Sequence, residues 1–316
     1  MNASVIICTR NRAASLDQTL QSLETISVPH GFNCEILVVD NGSTDGTRDL
    51  VQQRMARQSS LRYVLESSPG LSRARNAGLS HSTGEIIIFT DDDIRFSKDW
   101  LRSMSEPIMT KKGDAVAGAV QLAPHLERSW MTPIHRSWLA SSDRLDLDHP
   151  VEMVGANMAF ARRILDVVPS FDVELGAGAS GFGEETLFAW QILKAGFRIC
   201  TGPGTTVVHH FDEARLSRAN WLKAAKNLGQ SYAYLTHHWK HETIPAVQWR
   251  LYHLARYGVR RVLKWRECSR QEGVPAWEIK HLERLHRFAR FQVECKRPRN
   301  YDRQGLVKLQ GRPAHS

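Results

Sequence analysis

A chain of 316 residues is long enough for one large α/β domain with an appendage, and an apolar content of 42% is ordinary for a globular protein with a sizeable core. No apolar run approaches the roughly 20 residues of a spanning helix, and Met1 leads almost directly into Val5-Ile6-Ile7-Cys8 rather than into a secretory leader. The five cysteines, Cys8, Cys34, Cys200, Cys268 and Cys295, lack paired spacing and suit reduced thiols, so the expected compartment is the cytoplasm. The net charge of +9 is unevenly placed: residues 250–316 carry 17 Lys and Arg against 6 Asp and Glu, whereas residues 1–249 sit near −2. A near-neutral body with a basic tail argues against a nucleic-acid-binding body and for a tail that meets something anionic.

Val5-Ile6-Ile7-Cys8 is predicted as a strand buried on both faces, followed by the polar loop Thr9-Arg10-Asn11-Arg12 and a helix from Ser15 to Leu23. A second strand, Glu35 to Val39, ends in Asp40-Asn41-Gly42-Ser43-Thr44-Asp45-Gly46-Thr47, and a helix runs on through Leu50, Val51 and Met55. A third strand covers Leu61 to Leu65, then a short helix begins near Leu71 and is expected to end at Gly78 or the turn after it. Ile86-Ile87-Ile88-Phe89-Thr90 reads as a buried strand delivering Asp91, Asp92 and Asp93 to one spot. Three adjacent acids repel one another, so they form either a solvated turn or a site for a divalent cation. Alternating strands and helices of this length predict an open, mostly parallel α/β sheet with ligands outside the carboxyl ends of its strands, where Thr9, Asp40 and Asp91 lie. Neither G-x-G-x-x-G nor a P-loop is present. Asp40, taken alone, suits a turn residue or an acceptor for a ribose or base.

Ser4 to Arg12, Val38 to Thr47, Arg73-Ala74-Arg75-Asn76-Ala77-Gly78, the Asp91-Asp92-Asp93 run, Gly155 to Phe160, Gly183-Glu184-Glu185-Thr186-Leu187 and Val207-Val208-His209-His210 occur in that order. Together they resemble the successive signatures of the family two glycosyltransferases of bacterial glycan or exopolysaccharide type, over about residues 3–211. The resemblance implies a GT-A fold, a nucleotide-sugar donor (a UDP-sugar first), a Mn²⁺ or Mg²⁺ ion held through a D-x-D motif, and an inverting transfer. It places Thr9, Arg10 and Asp40 on the nucleoside and Arg75 on the donor, with Arg73 as second candidate. Asp91 and Asp92 fall on the nucleotide-sugar side, with Asp91 toward the ribose. Gly155 and Asn157 fall at the sugars. The metal ligands it suggests are Asp93, Asp91 and His209, a carboxylate and imidazole set that suits Mn²⁺ better than Ca²⁺. The base is Glu185 or Glu184, Glu185 preferred; relatives usually carry glutamate followed by aspartate there, and this chain departs from that.

The implied organisation is a catalytic domain over 1–212 (a nucleotide-sugar half, 1–120, and an acceptor half, 121–212), a basic helical extension over 213–295 and a flexible end over 296–316. Gly176 to Gly183 is a glycine-rich segment that either orders on donor binding or is a passive loop. Trp130 and Trp138 lie where such enzymes vary to suit the acceptor, as stacking platforms or as packing. In the extension, Leu216 to Leu235 has helical spacing. The segments Val247 to Leu263 and Trp277 to Phe291 each carry an apolar stripe with basic residues on other faces. They form either a hairpin on an anionic membrane, placing the enzyme peripherally on the cytoplasmic face of the inner membrane near a glycan or lipid-linked acceptor, or helices packed on protein. The other readings are a nucleotidyltransferase of related fold and a catalytically silent nucleotide-sugar or glycan-binding module.

Overall fold

The first strand, β1 (Asn2–Thr9), shows why the sheet is covered on both sides. Val5 and Ile7 pack with Leu16, Leu20, Trp100 and Met104 on one face, while Ile6 packs with Leu37, Ala74, Leu79 and Ile192 on the other. A run that is apolar on both faces, as Val5-Ile6-Ile7 is, has no face to give to water, so it belongs at the centre of a layered α/β structure. The computed structural model describes residues 2–244 and 247–309, with the backbone alone at 247–249.

Among the described residues, seven strands form the main sheet in the order β3-β2-β1-β4-β8-β6-β9. These are β2 (Asn33–Asp40), β3 (Leu61–Leu65), β4 (Ile86–Asp91), β6 (Ala115–Ala117), β8 (Asn157–Ala161) and β9 (Ile199–Cys200) around β1. The four strands from β3 to β4 run parallel, and β8 pairs antiparallel with both β4 and β6. A second sheet of three short strands has β10 (Val207–His209) between β5 (Ile94–Arg95) and β7 (Val120–Leu122). Helices α1 (Ala13–Glu24), α2 (Thr47–Met55) and α4 (Trp100–Met109) contribute to one core, and α3 (Leu71–His81) and α6 (Glu184–Lys194) to the other. The short α5 (Pro133–Trp138) precedes β8.

Helix α3 does not stop at Gly78 but runs through it to His81. A Cβ at Gly78 would lie 2.5 Å from Ile6 Cγ2 and 3.3 Å from Val39 Cγ2, so the missing side chain lets the helix seat on the sheet and is not a stop signal.

The chain divides into two compact units. The first holds residues up to Glu127, then Arg136–Val173 and Glu184–Phe211, and contains both sheets. The second holds the chain from Asp212 onward together with Arg128–His135 and Glu174–Gly183, two segments that the sequence reading leaves in the first domain. Within the second unit, α7 (Arg218–Tyr234) runs into a π-type turn, Leu235–Lys240, and α8 (Val247–Leu263), α9 (Trp265–Cys268) and α10 (Ala276–Glu294) follow. The stripe of α10 is internal: Ile279, Phe288 and Phe291 are buried.

The end of the chain differs from expectation. Up to residue 309 it is fastened rather than frayed: Tyr301 is buried, Trp239 Nε1 donates to the Gly305 carbonyl at 2.9 Å, and Gln304 N donates to the Trp239 carbonyl at 2.8 Å. Arg297, Asn300 and Lys308 all reach the carboxylate of Glu174, at 2.7, 2.7 and 2.9 Å. The basic side chains that read as solvating groups find specific acid partners here. Residues 310–316 lie outside the described residues.

Candidate active site

The carboxyl ends of β1, β2 and β4 come together because the parallel register aligns Thr9 with Asp40 and Cys8 with Asp91. The loops beyond are tied to each other. Asn11, in a left-handed conformation that asparagine tolerates (φ 54°), donates its backbone N–H to Ser43 Oγ at 2.8 Å, and its Oδ1 accepts from Thr44 N at 2.7 Å. Asp40 is buried and doubly engaged, accepting from Ser43 N and from the Tyr63 hydroxyl, each at 2.8 Å. This is the turn role open to it from the sequence. Arg10 is exposed on the same loop.

After β4 the chain turns at Asp92 and Asp93 before entering β5, and the pairing of β5 with β10 sets Ile94 opposite His209. His210 N donates to the Asp93 carbonyl at 2.8 Å, which fixes that register. As a result His209 Nε2 lies 3.2 Å from Asp93 Oδ1, both side chains 1% exposed. The other imidazole nitrogen, Nδ1, is 2.8 Å from the Leu139 carbonyl. A carbonyl can only accept, so Nδ1 carries a proton, and a singly protonated ring would turn the Nε2 lone pair toward a carboxylate oxygen. Neither Nε2 nor Oδ1 has a hydrogen-bond partner. Two buried acceptors cannot face each other stably, so a second proton on the ring or a cation must lie between them.

The pair fits a hard divalent cation. Its 3.2 Å separation is close to the edge, about 3.0 Å, of an octahedron with Mg²⁺-like bonds of about 2.1 Å. Such ions are commonly held by one or two protein groups, the substrate's phosphates completing the shell. Asp91 is not brought in as a third ligand: among the described residues no three His, Cys, Asp or Glu groups are gathered in ligand positions. The turn at Asp92 and Asp93 carries Asp93 toward β10 and leaves Asp91 at the end of β4.

Arg12, in the first loop and without a role expected from the sequence, sets the remaining charge balance. Its guanidinium forks between Asp92 Oδ1 at 2.8 Å and Asp93 Oδ2 at 2.6 Å. Thr9 Oγ1 donates to Asp92 Oδ2 at 2.6 Å and Ser15 Oγ to the Asp92 carbonyl at 2.9 Å. Burial raises Asp93, but His209 and Arg12 outweigh it and hold this carboxyl below its ordinary range. Burial wins at Asp92, pushing it up to about 7 against the pull of Arg12. Asp91 is raised by burial and by Asp93, with Arg75 and His209 opposing. A signal for Arg12 did exist: it is the N-cap residue of α1, where a small polar acceptor is favoured and a cation meets the positive helix end. An arginine there calls for acids nearby. The Leu139 carbonyl, by contrast, leaves no mark in the sequence.

A second acid cluster stands at the start of α6. Arg75, on α3 and almost fully buried, donates from Nη1 to Glu184 Oε1 at 2.7 Å, and the same nitrogen is 4.0 Å from Glu185 Oε2. Its guanidinium also lies 5.5 Å from the Phe171 ring centroid and 5.9 Å from that of Phe89. Gly155 makes room for this group, since a Cβ there would sit 2.0 Å from Arg75 Nη2. Arg73, on the same helix, is exposed. Burial and the neighbouring Glu184 carboxylate raise Glu185 well above the usual carboxylate range, and Arg75 only partly offsets them. The helix end also favours negative charge, but its influence is small beside burial of two acids around one arginine.

Asn157 is corrected from sugar contact to structural tie. It is fully buried; its Nδ2 donates to the Ala119 and Thr205 carbonyls at 2.8 and 2.7 Å, and its Oδ1 accepts from Trp100 Nε1 at 3.0 Å. Its amide holds neighbouring strands and α4 together and has no group directed to a ligand. Trp130 likewise is packing: its ring meets His135 and Trp221 edge-on, at 5.2 and 6.1 Å. In the glycine-rich segment Gly176, Gly178, Gly181 and Gly183 all have positive φ, so the backbone does use conformations closed to other residues.

A mixed α/β sheet with acids and a histidine at its strand ends, and a second acid pair held by a buried arginine, belongs to the group-transferring α/β enzymes rather than to the dinucleotide or P-loop classes. Residues 4–168 match the model of glycosyl transferase family 2. The chain is 30% identical over 242 residues to the succinoglycan biosynthesis protein ExoM of Rhizobium meliloti, covering 74% of this chain and 75% of that protein. The chain belongs to glycosyl transferase family 2 and is a glycosyltransferase. Solved structures share its fold. A mannosyltransferase, PcManGT, from Pyrobaculum calidifontis in complex with GDP-Man and Mn²⁺ superposes with a TM-score of 0.58 at 23% identity, over 74% of this chain and 64% of that one. TarS 1–349 of S. aureus in complex with UDP-GlcNAc gives 0.50 at 17% identity, over 94% and 91%.

Proposed function

We propose that this glycosyltransferase moves a sugar, with inversion, from a nucleoside diphosphate sugar to a hydroxyl of a glycan or lipid-linked acceptor in polysaccharide biosynthesis. The observation that carries the reading is the division of labour between the two acid clusters: Asp93 is held below its ordinary range by Arg12 and His209, with the His209 Nε2 at 3.2 Å, and Glu185 is held ready to take a proton. Asp93 and His209 would hold a Mn²⁺ or Mg²⁺ ion, which when bound supplies Lewis-acid stabilisation of the leaving diphosphate. Thr9, Arg10 and Asp40 line the loops assigned to the nucleoside, with Asp91 and Asp92 beside them. Arg75 holds Glu184 in place through its 2.7 Å contact.

Glu185 accepts the proton of the acceptor hydroxyl while that oxygen bonds to the anomeric carbon and the carbon–oxygen bond to the diphosphate breaks, its electron pair leaving with the phosphate. One displacement from the face opposite the leaving group inverts the centre. A silent binding module has no use for a base with so raised a pKa, and the presence of both clusters weighs against it.

Calorimetric titration of UDP and then GDP, each with Mn²⁺ and with chelator, tests the donor side. Metal-dependent binding of one nucleotide is expected and names the base. Equal binding with and without metal would remove Asp93 and His209 from the donor site.

A further inference from the structure

Helix α8 is attached to its unit along one narrow side. The His253 ring stands 6.0 Å from that of His281, the Tyr257 hydroxyl donates to Glu278 Oε1 at 3.1 Å, and the Arg260 guanidinium lies 4.8 Å over the Trp277 ring. Those three positions, separated by four and three residues, share one face of a helix. The opposite face is apolar and open to solvent: Leu251, Val259, Val262 and Leu263 are 61, 60, 73 and 77% exposed, and Tyr252 and Leu254 are exposed with them. On a helical wheel these six residues span a continuous arc of about 180°. Arg250 and Arg261 border the arc on one side and Arg256 on the other, all exposed. At the carboxyl end Trp265 is 61% exposed, with the Arg266 guanidinium 5.5 Å from its ring, beside an open groove of about 680 Å³ lined by Gly258, Arg261, Val262, Trp265, Cys268 and Ser269.

We propose that this face of α8 docks on an anionic lipid bilayer, the helix lying in the plane of the interface. An apolar arc with arginines along both borders matches a surface whose interior is apolar and whose rim is phosphate: the aliphatic stems cover the acyl boundary and the guanidinium groups meet headgroups. An exposed tryptophan at the helix end suits headgroup depth. The stretch from Arg250 onward supplies a charge excess of +11 to the same end of the chain. A second copy is a poorer occupant, since two-fold pairing through this face would set one arginine border against another. Among the described residues no helix is long and apolar enough to cross a membrane, so the contact is superficial. Together with the proposed function, this attachment would keep the enzyme where a lipid-linked acceptor is found.

Vesicle flotation of the full chain, without donor or metal, tests the idea independently of catalysis. The wild type should float with vesicles of phosphatidylcholine and phosphatidylglycerol in equal parts, and far less with phosphatidylcholine alone. Binding should weaken sharply at about 0.5 M salt. The double variant Leu251→Asp, Val262→Asp should lower the bound fraction at least tenfold. Each of Arg256→Glu and Arg261→Glu should lower affinity at least about fivefold. Should the aspartate pair fail to fold by circular dichroism, Val259→Ser with Val262→Ser serves with the same expected direction. Wild-type protein that stays in the pellet with anionic vesicles would overturn the proposal, as would flotation undiminished in a folded variant. So would a wild-type dimer by light scattering that the aspartate pair converts to monomer. Metal-dependent nucleotide binding, measured separately, should be the same in all these variants.

Discussion

The two acid clusters of the α/β unit are made of similar parts and come out opposite. Each gathers buried carboxylates around one arginine. At the end of β4, Arg12 is shared between two carboxylates and the His209 imidazole faces a third oxygen, so Asp93 is held below its ordinary range and the position between Nε2 and that oxygen asks for a cation, be it a metal ion or a proton on the ring. At the start of α6, Arg75 is committed to Glu184, and Glu185 is left with burial and a like charge, so its open position asks for a proton. What separates the two is the number of opposite charges within reach of the least-paired oxygen, not the type of acid.

The contrast can be broken at several points. The largest effect is expected from Glu185→Gln, which keeps shape but cannot take a proton: kcat should fall about 10²- to 10⁴-fold while metal-dependent nucleotide affinity holds, as read by steady-state rates and calorimetry. Arg75→Leu strands two buried acids and should lower stability by about 3–5 kcal/mol in urea titrations; an unchanged midpoint would mean the pair is not held by this arginine. For Asp93→Asn the expectation is a loss of at least about a hundredfold in metal-dependent nucleotide binding, with binding in chelator unaltered. The smallest effect concerns pH. The base must be ionised to work, so activity should fall as pH drops through a value above the ordinary carboxylate range. Glu184→Gln removes the like charge and frees Arg75, and should move that limb down by at least about one unit. A limb that stays put would assign it to another group, Asp92 being the nearest in range.

Most of the sheet could be read directly, because β1, β2 and β4 each contain a continuous apolar run that gives way to polar residues at its carboxyl end, Thr9-Arg10 after the first, Asp40 after the second and Thr90-Asp91 after the third. The site was legible as a set of strand ends, not as contacts. Only the family resemblance groups His209 with Asp93; periodicity and spacing do not, since their meeting depends on β5 and β10, strands of two and three residues whose pairing is a matter of tertiary register. Of the two ends expected for α3, Gly78 and the turn after it, the second holds: a helix breaker by propensity, Gly78 is a clearance for Ile6 in the fold. The helices α8 and α10 carry the same apolar and basic pattern, yet α10 buries its stripe and α8 turns its own outward. Periodicity tells that a face exists; only the neighbours tell what covers it.

The clasp on Glu174 gives the last residues of the chain an unexpected reach. Glu174 opens the segment whose glycines precede Glu184 and Glu185, and three side chains between residues 297 and 308 grip its carboxylate. Trimming the polypeptide by some twenty residues, by a protease or by a premature stop, would therefore do more than shorten it. It would untether the entrance of a loop more than a hundred positions earlier in the sequence, and a cleavage assay following the Gly176–Gly183 stretch would register the loss before any change in the core.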